Sequence, residues 1–186
     1  SSGAVQYTPI NVVNLSPGML GVESGSTHSC GLTSVGGVLC WGNNVNGQLG
    51  NGNNTAQFSP VNVVGLPSVT SIIAGGYYSS CALNAVGQIQ CWGGRVGSNV
   101  PVNIDDFIGG VTEVAIGSNH TCVMIAGGGI RCWGSNSSGQ LGDGTTNYAS
   151  SPITAIGFAG TTGISQAISF PALQNQSLGN GQAGLL

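Results

Sequence analysis

The residues best suited to chemistry in this sequence are its cysteines, which fall into three pairs. Each pair is separated by ten positions: Cys30 with Cys40, Cys81 with Cys91, and Cys122 with Cys132. An even number of cysteines at one repeated spacing favours a disulfide framework. The alternative is zinc, but zinc sites use closely spaced cysteines or cysteine with histidine, and the chain has only two histidines. We therefore expect three disulfides, which persist in the periplasm, at the cell surface or outside the cell.

The ten-residue spacing fits a β-hairpin whose two cysteines face each other across the strands. With Cys30 opposite Cys40, Leu32 pairs with Val38 and a three-residue loop ends at Gly36, where a left-handed backbone conformation is required. The same register pairs Leu83 with Ile89 and Met124 with Ile130 in the other two hairpins. Because side chains alternate between the faces of a strand, each cysteine pair shares one face with these apolar residues. We predict that this face is buried.

Histidine occurs at one fixed position in two of the three units. His28 and His120 each precede a first cysteine by two positions, but Ser79 occupies this position in the middle unit. Either histidine could serve as a metal ligand or a general base. The repeated position instead favours a structural residue that forms a hydrogen bond.

A tryptophan follows the second cysteine of each pair. Trp41, Trp92 and Trp133 therefore lie together on the hairpin face opposite the cysteines. An exposed tryptophan surface could stack on carbohydrate, but recurrence at one position favours packing between neighbouring repeats. The residues that we predict to form the repeat core are His28, Leu32, Trp41, Leu83, Trp92, His120, Met124 and Trp133.

No other group of residues predicts catalysis, a cofactor or a metal ion. Asp105 and Asp106 are adjacent acids that we expect to be solvated. Asp143 stands alone in a glycine-rich stretch, where calcium would need several carboxylates. No glycine-rich phosphate loop precedes a helix, and no serine, histidine and acid form a recognisable nucleophilic group. We therefore expect a protein that is not an enzyme and uses no cofactor.

The composition of the chain predicts an all-β fold. Among its 186 residues are 34 glycines, and only 4% of the residues are charged, against roughly 25% in an average soluble domain. Helix-favouring glutamate, lysine and arginine are scarce, so we expect short strands joined by tight turns.

The same composition argues against two classes of partner. Arg95 and Arg131 are the only cations and the formal net charge is -3, so the chain cannot neutralise the phosphates of a nucleic acid. Polar residues, glycine or proline interrupt every apolar stretch before the roughly 20 residues that span a membrane. A start at Ser1 without a charged region and an apolar run is typical of a processed or excised piece, so we expect any signal peptide to have been removed or to lie outside this sequence.

Two sequence elements repeat along the chain. The hairpin unit occurs three times, with first cysteines 51 and then 41 residues apart, which is the size of a propeller blade. An element that begins with proline occurs four times: Pro9-Ile10-Asn11-Val12, Pro60-Val61-Asn62-Val63, Pro101-Val102-Asn103-Ile104 and Pro152-Ile153-Thr154-Ala155. The first and third units also contain Gly-Gln-Leu-Gly, at residues 47–50 and 139–142, whereas the second unit lacks it. Four proline elements with three hairpins indicate a chain that opens in the middle of a repeat.

Residues 25–52 and 117–144 combine glycine, histidine, the two cysteines, Cys-Trp-Gly and Gly-Gln-Leu-Gly-x-Gly in one order. This pattern resembles the regulator of chromosome condensation repeat family, and its cysteine-bearing form is similar to the bacterial, exported branch. The resemblance implies four-stranded β-propeller blades arranged radially, seven of which close a ring. About three blades plus a partial one are expected here, too few to close that ring alone. The expected units are an outgoing strand at 1–18, blades at 19–67, 68–109 and 110–158, and a linker or first strand of a further module at 159–186.

The segment Ile168-Ser169-Phe170-Pro171-Ala172-Leu173 is similar to the start of the immunoglobulin-like modules of bacterial surface proteins. These observations predict an extracellular or cell-surface module for protein interaction or structure, part of an assembly or filament. A surface with few charges lacks the repulsion that keeps copies apart, so the expected partners are copies of itself or neighbouring modules of a longer parent chain. The alternative is a secreted propeller that binds or inhibits a specific partner protein through aromatic and arginine residues.

Overall fold

Twelve β-strands form the protein in its computed structural model, which describes residues 7–15, 18–104, 107 and 110–157. None of these residues is helical, so no helix among them could cross a membrane. The strands are β1 (Met19–Ser24), β2 (His28–Thr33), β3 (Val38–Gly42), β4 (Gln57–Asn62), β5 (Ser71–Gly75), β6 (Ser79–Leu83), β7 (Ile89–Gly93), β8 (Ser98–Asn103), β9 (Val111–Ile116), β10 (His120–Ile125), β11 (Ile130–Gly134) and β12 (Ala149–Thr154). The predicted all-β fold is confirmed.

Four consecutive strands make each of three antiparallel sheets. We call these sheets blade 1 (β1–β4), blade 2 (β5–β8) and blade 3 (β9–β12). The first strand of each blade contacts the first strand of the next, β1 with β5 and β5 with β9. The blades therefore fan out from one side, as in a propeller. Over the part of the chain that the structure describes they form an open arc, as the repeats predict.

Each central hairpin has the register that the cysteine spacing predicts. Cys30 lies opposite Cys40 and Leu32 opposite Val38, and the other two hairpins repeat this pairing. Disulfides join the three expected pairs, Cys30–Cys40, Cys81–Cys91 and Cys122–Cys132. The last residue of each hairpin loop has a left-handed backbone, with φ of 79° at Gly36, 80° at Gly87 and 86° at Gly128.

The core lies between the blades, because blade 2 packs one face on blade 1 and the other on blade 3. We call the face with the cysteines the disulfide face and the opposite one the tryptophan face. The disulfide face of blade 1 packs on the tryptophan face of blade 2, where Ile72, Ala82 and Trp92 are buried. The disulfide face of blade 2 packs in the same way on Val123 and Trp133 of blade 3.

One predicted repeat element forms no strand, and some predicted features lie outside the described residues. The first proline element, Pro9 to Val12, forms no strand, although its three later copies lie in or at the end of β4, β8 and β12. Those copies pair with the Cys-Trp-Gly strand of their own repeat, and no such strand precedes the first copy in this sequence. Asp105, Asp106 and the segment 168–173 lie outside the described residues.

Candidate functional site

A histidine–serine hydrogen bond joins blades 1 and 2. Nε2 of His28, at the start of β2, lies 2.9 Å from Oγ of Ser80 on β6. The Ser80 hydroxyl donates in turn to the Gln48 carbonyl at 3.0 Å. Since the hydroxyl proton is used in that bond, the network assigns His28 as the donor to Ser80. His28 is 3% exposed and Ser80 is 1% exposed, so the pair is part of the core.

This pair is not arranged as a nucleophile and its base. A general base accepts the proton of the serine, whereas here the histidine donates to it. Among the described residues nothing forms a hydrogen bond with Nδ1 of His28, the position that a carboxylate occupies in a catalytic triad. Burial lowers the pKa of His28 to about 4, which keeps the imidazole neutral near pH 7. The geometry suits blade docking better than catalysis.

One backbone carbonyl of blade 1 accepts hydrogen bonds from two side chains of blade 2. Besides the Ser80 hydroxyl, the Gln48 carbonyl accepts the indole N–H of Trp92 at 2.9 Å. Sequence reasoning missed both Ser80 and this carbonyl. A signal was available, because each repeat has a hydroxyl residue directly after the histidine position, at Ser29, Ser80 and Thr121.

Buried asparagines hold the Gly-Gln-Leu-Gly segments in place. Nδ2 of Asn44 donates to acceptors within residues 51–55, and its Oδ1 accepts the N–H of Leu49 at 2.9 Å. Asn136 repeats this arrangement in blade 3, where Nδ2 donates to Asp143 at 3.0 Å. These asparagines were not predicted from the sequence, although both stand three residues after the tryptophan of their repeat.

The carboxylate of Asp143, which was considered as a calcium ligand, forms hydrogen bonds within the protein. It accepts hydrogen bonds from the hydroxyl and the N–H of Thr145 and from Asn136. The bond from the Thr145 hydroxyl is the main reason that the pKa of Asp143 is lowered. Within the described ranges no three potential ligands come together around a metal position.

Blade 3 leaves its disulfide face open. Leu32 and Leu83 are 5% and 8% exposed in the first two blades, but the equivalent Met124 is 38% exposed. The prediction of Met124 as a blade-core residue is therefore wrong, because no described residue packs over this face as blades 2 and 3 do over the earlier ones. An apolar hollow of about 180 Å³ lies here, lined by Glu113, Ala115, Cys122, Val123, Met124 and Ile130.

Blade 1 leaves its tryptophan face open. Val22 is 65% exposed, although Ile72, at the equivalent place in β5, is only 6% exposed. Trp41 is half-buried, whereas Trp92 is fully buried and Trp133 is 8% exposed. One end of the blade arc thus exposes a disulfide face and the other end a tryptophan face. These are the two kinds of face that pack together at each junction between blades.

Arg95 bridges blades 2 and 3 at a second hollow. It stands where the other repeats have their buried asparagine, and its Nη2 donates to the Ser118 carbonyl at 3.0 Å and to Asn119. Burial lowers the pKa of Arg95. Burial, with Arg95 as the lesser cause, also lowers the pKa of His120. The hollow measures about 170 Å³ and is lined by Arg95, Val96, Ile104, Trp133, Gly134, Tyr148 and Ser150.

The repeats also match known families. A profile of the Regulator of chromosome condensation (RCC1) repeat matches residues 35–83, and a second RCC1 profile matches residues 21–48 and 111–140. These matches together extend over half of the chain. The chain belongs to the RCC1 repeat family. Its predicted family is confirmed, and the matched ranges contain the first and third cysteine hairpins and the first strand of the second.

Several RCC1 relatives are much longer than this chain. It is 33% identical to the RCC1 domain-containing protein RUG3, mitochondrial, of Arabidopsis thaliana over 105 residues. This alignment covers 53% of this chain and 23% of that protein. Over 79 residues it is 38% identical to the E3 ubiquitin-protein ligase HERC2 of Homo sapiens, covering 41% of this chain and 2% of that protein. The chain thus spans less than a quarter of these relatives.

Solved RCC1-like structures share the fold. Human WBSCR16 superposes with a TM-score of 0.64 at 25% sequence identity, covering 74% of this chain and 38% of that one. Prp20p from Saccharomyces cerevisiae superposes with a TM-score of 0.65 at 21% identity, covering 73% of this chain and 38% of that one. The partial propeller of this chain corresponds to less than half of each.

Proposed function

We propose that this chain is an extracellular, non-enzymatic protein-interaction module that associates with other copies of itself through its two open blade faces. Such association builds part of a cell-surface assembly or filament. The observation that carries the proposal is the exposure of Met124 and Val22, whose equivalents are buried wherever one blade covers another. Exposed apolar surface on a blade face is typical of a protein-interaction site.

The disulfides support the extracellular part of the proposal. Three cross-strand bridges are present, and every cysteine is used in one. Bridges of this kind are stable in oxidising compartments and rare in the cytosol.

Two further observations support interaction with protein. The crystal structure of the RCC1 relative Prp20p was described together with the binding of Prp20p to Gsp1p and histones. Protein binding is therefore known for a propeller of this fold. Only 4% of the residues here are charged, which leaves little electrostatic repulsion between copies. The buried histidine–serine pair, by contrast, is oriented for docking and not for turnover.

Light scattering over a wide dilution range, with the disulfides intact, tests the proposal. We expect the average mass to rise with concentration, and negative-stain microscopy to show arcs, rings or filaments built from more than one chain. A folded species that stays monomeric at high concentration, with both open faces protected from hydrogen exchange, would overturn the proposal.

A second candidate function is binding of a specific partner protein at the Arg95 hollow. Arginine, tryptophan and tyrosine are the residues that dominate binding energy at many interfaces, and Arg95, Trp133 and the 69% exposed Tyr148 meet here. Cross-linking of native material distinguishes the candidates. Links from the Tyr148 region to a different protein, lost in Tyr148→Ala but kept in Val35→Ala, would favour this second function. Links only between copies at the blade ends would favour the first.

A further inference from the structure

The junction of blades 1 and 2 shows how one RCC1 blade docks on the next in this chain. The Gln48 carbonyl of blade 1 accepts the indole N–H of Trp92 and the hydroxyl of Ser80, both from blade 2. His28 of blade 1 adds the bond to Ser80. The backbone at Gly50 touches the same indole, since a Cβ built there would lie 2.7 Å from Nε1 of Trp92. Because Gly50 has no side chain, it leaves the space that the Trp92 indole occupies.

Blade 3 presents the same docking groups on its open side. Its second Gly-Gln-Leu-Gly segment places the Gln140 carbonyl where blade 1 has Gln48, and His120 stands where blade 1 has His28. Among the described residues neither the Gln140 carbonyl nor the His120 ring forms a hydrogen bond. Among the described residues, a Cβ built at Gly142 would meet only Ala155, at 3.4 Å, so nothing in the described ranges fills the position in blade 3 that corresponds to the space occupied by Trp92 at blade 1.

Blade 1 presents the complementary groups on its open tryptophan face. Trp41 and Ser29 lie opposite each other across β2 and β3, as Trp92 and Ser80 do across β6 and β7. Within the described ranges the indole N–H of Trp41 has no acceptor, and the only hydrogen bond of the Ser29 side chain is a long one of 3.4 Å to the Ser24 hydroxyl. Val22 projects from the same face.

We infer that the open disulfide face of blade 3 receives blade 1 of a second copy of this chain, in the register of the blade 1–blade 2 junction. In this contact Trp41 and Ser29 of the second copy donate to the Gln140 carbonyl, and His120 donates to that Ser29. Val22 of the second copy covers Met124. This inference rests on the proposed function and gives it a partner surface, a polarity and a register.

Charge favours this head-to-tail contact over a symmetric one between two blade 3 faces. Glu113 lines the open hollow of blade 3, so two copies joined through this face would bring two Glu113 carboxylates towards each other. Glu23 of blade 1 lies opposite Cys30 and therefore points to the disulfide face, away from the open tryptophan face. A head-to-tail contact consequently brings no pair of acids together. Because both faces of each copy remain usable, such a contact propagates.

Two variants, each blocking one face, test the polarity. Met124→Glu places a charge in the blade 3 hollow, and Val22→Glu places one on the blade 1 face; both positions are exposed, so the fold should survive. Val35→Glu is the matched control, since Val35 is 80% exposed in a hairpin loop away from both faces. We expect each blocking variant alone to be monomeric in light scattering, and the control to associate like the unmodified chain.

Mixing the two blocking variants is the decisive step. Each retains one working face, so a head-to-tail contact allows a single 1:1 heterodimer and no further growth. A homodimer of either variant alone would show a symmetric contact, which overturns the inference but leaves association through an open blade face standing. Association unchanged in both variants would show a different surface, which overturns the inference and the blade-face part of the proposed function but not self-association. An unmodified chain that stays monomeric at every concentration would instead overturn both.

The hydrogen-bond register has its own test. Trp41→Phe keeps an apolar ring but removes the indole N–H, and Ser29→Ala removes the hydroxyl. Each should weaken association about tenfold, the effect of losing one or two buried hydrogen bonds, without lowering the melting temperature of the monomer. Association that is unchanged in both variants would overturn the register even if the heterodimer forms.

Discussion

His28 makes the stability of this protein depend on pH. Burial lowers its pKa from 6.5 to about 4, so between these values the unfolded chain binds a proton that the folded chain does not. The contribution of His28 is therefore complete above pH 6.5 and is lost as the pH falls towards 4. Over the whole interval the loss amounts to roughly 3 kcal/mol.

Urea unfolding between pH 7.5 and 5 measures this effect, and His28→Gln is its control. We expect the unfolding free energy of the parent protein to fall with pH over this range, and that of the variant to be lower at pH 7.5 and to fall less steeply. The remaining slope in the variant comes from His120, whose pKa is also lowered. The range ends at pH 5 because the carboxylates titrate below it. Equal slopes in the two proteins would show that His28 is not buried as a neutral group.

Asn44 should matter far more to stability than its chain neighbour Asn46. Asn44 is fully buried and its side chain makes five hydrogen bonds with residues 49–55, whereas the side chain of Asn46 makes none among the described residues. Removing one partner leaves buried groups unsatisfied, so Asn44→Ala should destabilise by about 2–4 kcal/mol and Asn46→Ala by less than about 1 kcal/mol. Thermal unfolding of the two variants compares them directly, and similar losses would contradict the assigned network.

At the scale of the hairpin, each disulfide closes its own loop. Peptide mapping without reductant should recover three bridges, each within one hairpin. Closing a loop of this length stabilises by about 2–3 kcal/mol in the chain-entropy model, so replacing both Cys81 and Cys91 with serine should cost about that much. A bridge between two different blades in the map would show the hairpin register to be wrong.

Hairpin loops also act as contacts between blades. Gly87 and Gly97 both have positive φ, at 80° and 71°, but a Cβ at Gly87 would lie 2.9 Å from Gly110 at the edge of blade 3, and one at Gly97 would have no described residue within 4 Å. Left-handed strain alone costs roughly 1–2 kcal/mol for alanine. Gly97→Ala should therefore lower the free energy of unfolding by about that amount, and Gly87→Ala should lower it distinctly more, as measured by chemical unfolding. Equal losses would mean that this loop does not press on the next blade.

At the scale of the whole molecule, the low charge predicts how association responds to salt. An interface made of Met124, Val22 and neutral hydrogen bonds gains little from Coulomb attraction, so raising the ionic strength from about 0.05 to 0.5 M should leave the association constant nearly unchanged. Sulfate should strengthen it, because such salts favour burial of apolar surface. Sedimentation velocity in sodium chloride and in sodium sulfate measures both effects, and dissociation by modest chloride would point to a charged interface instead.

The sequence alone determined the blades. The ten-residue cysteine spacing, the glycine that closes each loop and the alternation of apolar residues are local features, and they were enough to predict the hairpin register, the disulfides and the RCC1 family. These features act over a few residues within one sheet, so the order along the chain specifies them directly.

Only the tertiary structure decided which faces are covered. Leu32, Leu83 and Met124 occupy the same repeat position, yet one of the three is exposed, because burial depends on whether a neighbouring blade is present and not on the residue itself. The Gln48 carbonyl is a backbone group, and its pairing with Trp92 and Ser80 joins residues 32 and 44 positions away. No pattern within one repeat could reveal it, since the bond forms only when two repeats pack together.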